Sequence, residues 1–170
     1  MDFFDAVTKR HSVRAYAKKP IGEGKLKQIL EAANSAPSAH NSQAYEIFIA
    51  KDEAKKVALL ESSSASSYAA DVSVVLVFCA NPKRLNSSNS IRVTNMSMQD
   101  ATIAAAYTQL AATSLGLASV WIGSFDTNII MKVLGNPAGL IPVAVIPIGY
   151  PAESPAPKPR RPLNDLVHKV

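Results

Sequence analysis

A chain of 170 residues with 48% hydrophobic side chains can close a sizeable core, which excludes a disordered segment. Its 18 Lys and Arg against 13 Asp and Glu leave a net charge of +5, too modest and scattered for a nucleic-acid footprint and better suited to a small anionic ligand. The single cysteine, Cys79, excludes an intramolecular disulfide and suits a reducing compartment.

The opening Met1-Asp2-Phe3-Phe4-Asp5 has no basic region followed by a long apolar one, so no secretory signal is expected and the protein is expected in the cytoplasm. Phe3, Phe4 and Val7 predict a short first helix that ends at the basic cluster Lys9, Arg10, His11. Lys25 to Ser35 is a second helix, with Leu26, Ile29, Leu30 and Ala33 on one face and Pro37 beyond its end. Tyr45, Ile47 and Ile49 alternate with Glu46, Phe48 and Ala50 as a strand does, and Asp52 to Glu61 reads as another helix. Val72 to Phe78 is β-branched and almost continuously apolar, which predicts a central strand covered on both faces. Cys79 directly follows that run and reads as a small buried hydrophobe.

The Asn- and Ser-rich stretch from Asn81 to Asn95 is expected to be a loop. From Ser97 a long Ala-rich helix runs to Leu115, with Gly116 in the position of a left-handed cap. Gln99, Asp100 and Gln109 make it too polar to span a bilayer, yet it is apolar nearly all round, which suggests burial or a subunit interface. Val120 to Phe125 reads as extended, Asp126 as the cap of a helix from Thr127 to Leu134, and Ile141 to Ile148 as the last strand. A Pro-rich segment, Pro151 to Pro162, leaves the body as an extended arm suited to wrapping a partner subunit. Without a strict βαβ rhythm, the fold class is α+β.

Four stretches carry candidate chemistry. Arg10-His11-Ser12-Val13-Arg14 places two guanidiniums and a hydroxyl within reach of one oxyanion; the alternative is a helix end favoured by cations. Ala36 to Tyr45 is a polar, turn-prone loop whose Asn41 and Gln43 pair donors with acceptors, as the edge of a planar heterocycle requires; such loops also serve as plain connections. In Leu117 to Phe125, Gly123 would let the backbone approach a planar ligand, while Trp121 is read as core. Lys158-Pro159-Arg160-Arg161-Pro162 is a rigid basic segment, either a phosphate contact or a solvated tail. His11, His40 and His168 have no neighbours at metal-ligand spacing, so no metal site is expected. No GxxxxGK(S/T), GxGxxG or GxSxG occurs, which argues against a P-loop, a Rossmann site and an α/β-hydrolase.

Taken in order, these stretches resemble the nitroreductase family of flavoproteins along essentially the whole chain. Arg10 to Tyr16 is similar to its R-(R/H)-S-x-(R/K)-x-(F/Y) signature, and Ala36 to Gln43 to its A-P-S-x-x-N-x-Q loop. Gly116 to Gly123 resembles its G-L-x-x-x-W-I-G segment; Pro147 to Pro151 and Lys158 to Pro162 resemble its closing P-x-G-Y-P and K-x-R-x-P. The resemblance implies one domain over residues 1–170, with a central, mostly antiparallel sheet flanked by helices, in an intertwined homodimer that holds FMN at its interface. Arg10, Ser12 and Arg14, with Lys158, Arg160 or Arg161 from the tail, would hold the phosphate and polar edge of the flavin, and His11 would touch it through backbone. Pro37, Ser38 and Asn41 would come from the other subunit, and Ile122 with Gly123 would lie near the reactive ring. NAD(P)H would donate hydride and a small electron-poor acceptor, such as a nitroaromatic or a quinone, would receive it, with no side chain acting as a catalyst in the strict sense. Neither a nucleic acid nor a membrane is an expected partner.

Ala44-Tyr45 stands where the family often has Pro-Trp. The segment from Asn81 to Asn95 is also shorter than the helical insertions that cover the flavin in longer members, so substrate choice does not carry over. The competing readings are a relative of the same fold with another reaction, such as dehalogenation, flavin fragmentation or azoline oxidation, a non-catalytic FMN-binding or storage protein, and a basic anion- or nucleic-acid-binding module without flavin.

Overall fold

The computed structural model describes every residue except 64 and 87. Asp2 caps the first helix, α1 (Phe3–Lys9), by accepting from the Asp5 amide, and the helix ends at Arg10. Next come β1 (Tyr16–Ala17), α2 (Glu23–Asn34) and, after the loop at Pro37, β2 (Tyr45–Ala50). Asp52 caps α3 (Glu53–Glu61), which leads to β3 (Val74–Ala80). The remaining elements are α4 (Ser90–Ser114), β4 (Ala118–Ser119), α5 (Thr127–Val133), β5 (Ile141–Pro151) and α6 (Leu163–Leu166).

One antiparallel sheet runs β1-β5-β3-β2, with β4 pairing β5 as well. In β3, Val74, Leu76, Phe78 and Ala80 pack into a core with α2 and α4. Val75, Val77 and Cys79 point the other way, into a core with Leu59 and Leu60 of α3 and Ile130 of α5. A continuous apolar run is what such a doubly covered strand requires, and all seven β3 residues are buried. Burial, with the nearby Glu46 charge, pushes the Cys79 thiol up to about 12, which leaves it an unreactive core group at neutral pH.

Several boundaries depart from the sequence reading. Helix α4 begins at Ser90, so the stretch expected to be a loop through Asn95 ends at Asn89, whose side chain accepts from the Arg92 amide. Val93 and Met96, masked among Asn and Ser in composition, pack with Leu85 and Ala44 and draw that first turn into the helix. In the segment expected to be extended from Val120, the paired residues are Ala118 and Ser119, and Ile122 alone bridges Val145. Strand β5 continues to Pro151 because β1 pairs with its last residues, Tyr16 opposite Pro151 and Ala17 opposite Tyr150. Gly116 does take the left-handed conformation, φ 74°, and Asp126 does cap α5 through the Asn128 and Ile129 amides.

Gly149 lies where β5 passes beneath Tyr16. A Cβ there would stand 2.9 Å from Tyr16 Cδ1 and 3.4 Å from the Ser73 amide nitrogen. Gly149→Ala is expected to destabilise the fold by about 1–3 kcal/mol through overpacking, read as a lowered Tm. The displaced Tyr16, whose hydroxyl donates to the Val13 carbonyl at 2.7 Å, would loosen the segment from Arg10 to Arg14 with it.

Candidate functional site

Past the end of α1 the chain runs extended, so neighbouring side chains leave on opposite sides. His11 and Val13 line a cavity of about 160 Å³ between Thr113 of α4, Leu117 and the tail residues Glu153 and Pro155. Arg10, Ser12 and Arg14 do not line it, and extended backbone directs alternate residues away from it. The segment is fixed from behind. The Val13 amide donates to the Ser119 carbonyl at 3.2 Å, and the buried Gln109 donates from Nε2 to Ser119 Oγ at 3.1 Å. From the tail, Glu153 accepts from the Arg14 amide, and the Ala152 amide donates to the Ala15 carbonyl at 2.9 Å.

The tail then returns toward α1. Partial burial lowers the pKa of the Arg10 guanidinium, and the charge of Arg160 lowers it further. The field of a second cation therefore reaches Arg10 from the tail. Among the described residues, none of Arg10, Arg14 and Arg160 enters a salt bridge. Lys158, Arg160 and Arg161 are all exposed on the arm, and Arg160 is the tail cation whose charge reaches Arg10.

Pro37, Ser38 and Asn41 lie in a second group, the loop between α2 and β2. Here three residues other than glycine take the left-handed conformation: His40 (φ 53°), Asn41 (φ 54°) and Gln43 (φ 42°). Ser38 Oγ accepts from the Gln43 amide at 3.0 Å, and Gln43 Nε2 donates to Asn41 Oδ1 at 2.7 Å and to the Asn41 carbonyl. Asn41 is exposed, and with its oxygen held its Nδ2 donors are the groups left for a ligand. The Asp100 carboxylate of α4 grips the loop from below. Gln43 and Asp100 were both in view in the sequence, but a polar residue on an Ala-rich helix does not reveal which backbone amides it meets.

Ile122 and Gly123 form the third group. The Ile122 amide donates to the Val145 carbonyl at 3.1 Å and its carbonyl accepts from the Val145 amide at 2.9 Å, so Gly123 supplies the backbone donor left for a ligand. The space a Gly123 Cβ would need is held by the Trp121 indole, whose Nε1 would lie 2.8 Å away. Trp121 itself packs at the edge of the α2–α4 core. Among the described residues no group of three or more His, Cys, Asp or Glu could hold a metal ion, and no helix is long and apolar enough to cross a membrane.

The sequence model of the nitroreductase family matches residues 7–90 and 65–150. An NADH dehydrogenase of Thermus thermophilus is 33% identical, over 98% of this chain and 95% of its own. An FMN reductase [NAD(P)H] of Bacillus subtilis is 30% identical, over 96% of this chain and 72% of its own. Among solved structures, that of B. megaterium NfrA2 superimposes with a TM-score of 0.92 at 26% identity, covering 99% of this chain and 74% of that one. The antiparallel sheet between two helical layers, the four motifs in register and these matches give one answer: the chain belongs to the nitroreductase family.

Proposed function

We propose that residues 1–170 form one FMN-binding domain that works in the cytoplasm as a homodimer, taking electrons from NAD(P)H and passing them to a small electron-poor acceptor such as a nitroaromatic or a quinone. The observation that carries this reading is the segment Arg10 to Arg14, fixed to Ser119 and to Glu153 of the tail, with Arg10 partly buried in the field of Arg160 and none of Arg10, Arg14 and Arg160 in a salt bridge among the described residues. Cations without a salt-bridge partner on one short segment suit a multiply charged anion, and a phosphate monoester accepts forked donors of this kind. The ring of FMN needs donors and acceptors at its edge, which Asn41, Ser38 and the Gly123 amide offer, so the residues present fit the group.

When bound, FMN supplies the hydride chemistry, accepting from the nicotinamide and delivering to the acceptor. The chain's own part is to bind and orient. Arg10, Ser12, Arg14 and Arg160 would hold the phosphate end, with Lys158 and Arg161 adding positive potential from the arm. Pro37, Ser38 and Asn41 would fix one edge of the ring, Gly123 would approach the other, His11 would serve through backbone, and Ile122, both of whose backbone polar groups are taken by Val145, would hold Gly123 in place. The donors aimed at the ring favour its electron-rich form.

The dimer is supported by the length of α4. The loop meets this helix at Asp100 and the cationic segment meets it at Thr113, a rise of about 20 Å at 1.5 Å per residue. A second copy whose α4 crosses antiparallel near Ala106 and Tyr107 would bring each loop against the other protomer's cations and create two equal sites. The outer face near that crossing is apolar, with Phe3 65% and Phe4 79% exposed beside a groove of about 520 Å³ lined by Tyr107, Leu110 and Ala111. Leu163, Leu166 and Val167 on the arm are likewise exposed and suit a partner surface.

Rapid mixing of the FMN-loaded protein with NADH or NADPH is expected to bleach the visible flavin band, and an added quinone or nitroaromatic to restore it. A band that stays unbleached with both nucleotides would sink the reductase reading and leave flavin storage.

A further inference from the structure

We infer that Asp100 is the positioning residue of the flavin site, clamping the loop from Ser38 to Ala44 so that Asn41 faces the ring; the inference rests on the functional reading above. Aspartate is a poor helix former, yet Asp100 sits in the interior of α4 and is 2% exposed. Among the described residues it forms no salt bridge. A buried carboxylate without a cation is costly unless hydrogen bonds satisfy it, and here they all come from the loop. Oδ1 accepts from the Ala39 amide at 2.9 Å; Oδ2 accepts from the Ala44 amide at 3.3 Å and from Ser42 Oγ at 3.4 Å.

The two amides bracket the three left-handed residues. Each such residue is disfavoured by about 1–2 kcal/mol, so a run of them persists only where the surroundings over-determine it. Ser38 and Gln43 tie the loop to itself, and Asp100 ties both of its ends to a rigid helix. Tyr45, the next residue, donates from its hydroxyl to the Ala33 carbonyl at 3.0 Å. Burial raises the pKa of its phenol and the Asp100 charge raises it further, so the field of the carboxylate is felt at the loop's exit. Because α4 is also the helix proposed to cross its partner, the clamp would set the loop's position against the partner's cations.

Asp100→Asn keeps the shape but turns one acceptor into a donor facing the Ala44 amide or the Ala39 amide. In the full-length protein, amide exchange at Ala39 and Ala44 is expected to accelerate at least tenfold. FMN affinity, read by quenching of flavin fluorescence, should fall about 10- to 100-fold, with an altered visible circular dichroism of the bound flavin. Thr108→Val is the control: it removes a buried hydroxyl from the same helix, where Oγ1 donates to the Ala104 carbonyl at 3.0 Å, and should leave FMN affinity unchanged. Unchanged exchange in Asp100→Asn overturns the inference whatever the flavin does, and so does wild-type FMN affinity in that variant or an equal loss in Thr108→Val. A wild-type protein that takes up no FMN overturns the functional reading instead, and amide exchange then decides alone whether Asp100 sets the loop. Should Asp100→Asn fail to fold, Ser42→Ala removes one donor from the same carboxylate and carries the decision: an FMN affinity lowered about threefold supports the clamp, and an unchanged one overturns it.

Discussion

Arg10→Ala is expected to weaken FMN binding about 10- to 100-fold while leaving the protein measured without flavin at least as stable as wild type. The two halves of this result have one cause. In the folded chain the Arg10 guanidinium is partly desolvated and lies near Arg160, and both effects disfavour its charge. The sign is that of a destabilised cation: a base whose folded pKa falls below its unfolded value weakens the fold whenever it is protonated. A guanidinium stays protonated throughout the working range of an enzyme, so the penalty is relieved by an anion and not by titration. Alanine removes both the penalty and the grip on phosphate. Fluorescence titration with FMN checks the loss, and thermal unfolding without added flavin checks the sign. Raised salt should weaken the wild-type complex more than the variant, since surface charges are screened first. A variant that loses Tm and keeps its FMN affinity would make Arg10 an ordinary helix-end cation.

How much of this was legible beforehand depends on the kind of signal. Strand β3 and the two helices flanking its core could be read from composition and spacing, because burial on both faces leaves a continuous apolar run and burial on one leaves a period of 3.6. The start of α4 could not. Val93 and Met96 are interspersed with Thr94, Asn95 and Ser97, and they pack against Leu85 and Ala44, which come from other parts of the chain. The cationic segment was visible as a local cluster. Its alternation, with His11 and Val13 in the Thr113 cavity and Arg10, Ser12 and Arg14 outside it, goes with extended backbone that the bridge to Ser119 and the tail bonds at Arg14 and Ala15 secure. Asp100 was seen and read as a mere polar interruption of an apolar helix. Its partners lie 56 to 61 residues away along the chain, and no periodicity encodes them.

Tyr107→Glu is expected to shift the protein from dimer to monomer and, in the same step, to abolish stable FMN binding, although Tyr107 belongs to neither proposed half of the site. Tyr107 is 41% exposed on α4, midway between the level of Asp100 and that of Thr113. If one protomer's loop is to meet the other's cations, a two-fold axis must pass near that midpoint, where Ala106 is small and exposed and lets two helices approach closely. In the isolated protomer the substitution is mild, because glutamate is a good helix former and the position faces solvent. At a two-fold crossing it places two like charges opposite each other in a desolvated contact, a loss of several kcal/mol and so of at least about 100-fold in dimer affinity. Light scattering at micromolar concentration reads the first effect and flavin retained through gel filtration reads the second. The coupling between them is the decisive quantity. A monomer that keeps its FMN would mean that one chain closes the site alone, and a dimer that persists would move the interface away from α4. Loss of both together is the result that a flavin shared between two copies requires.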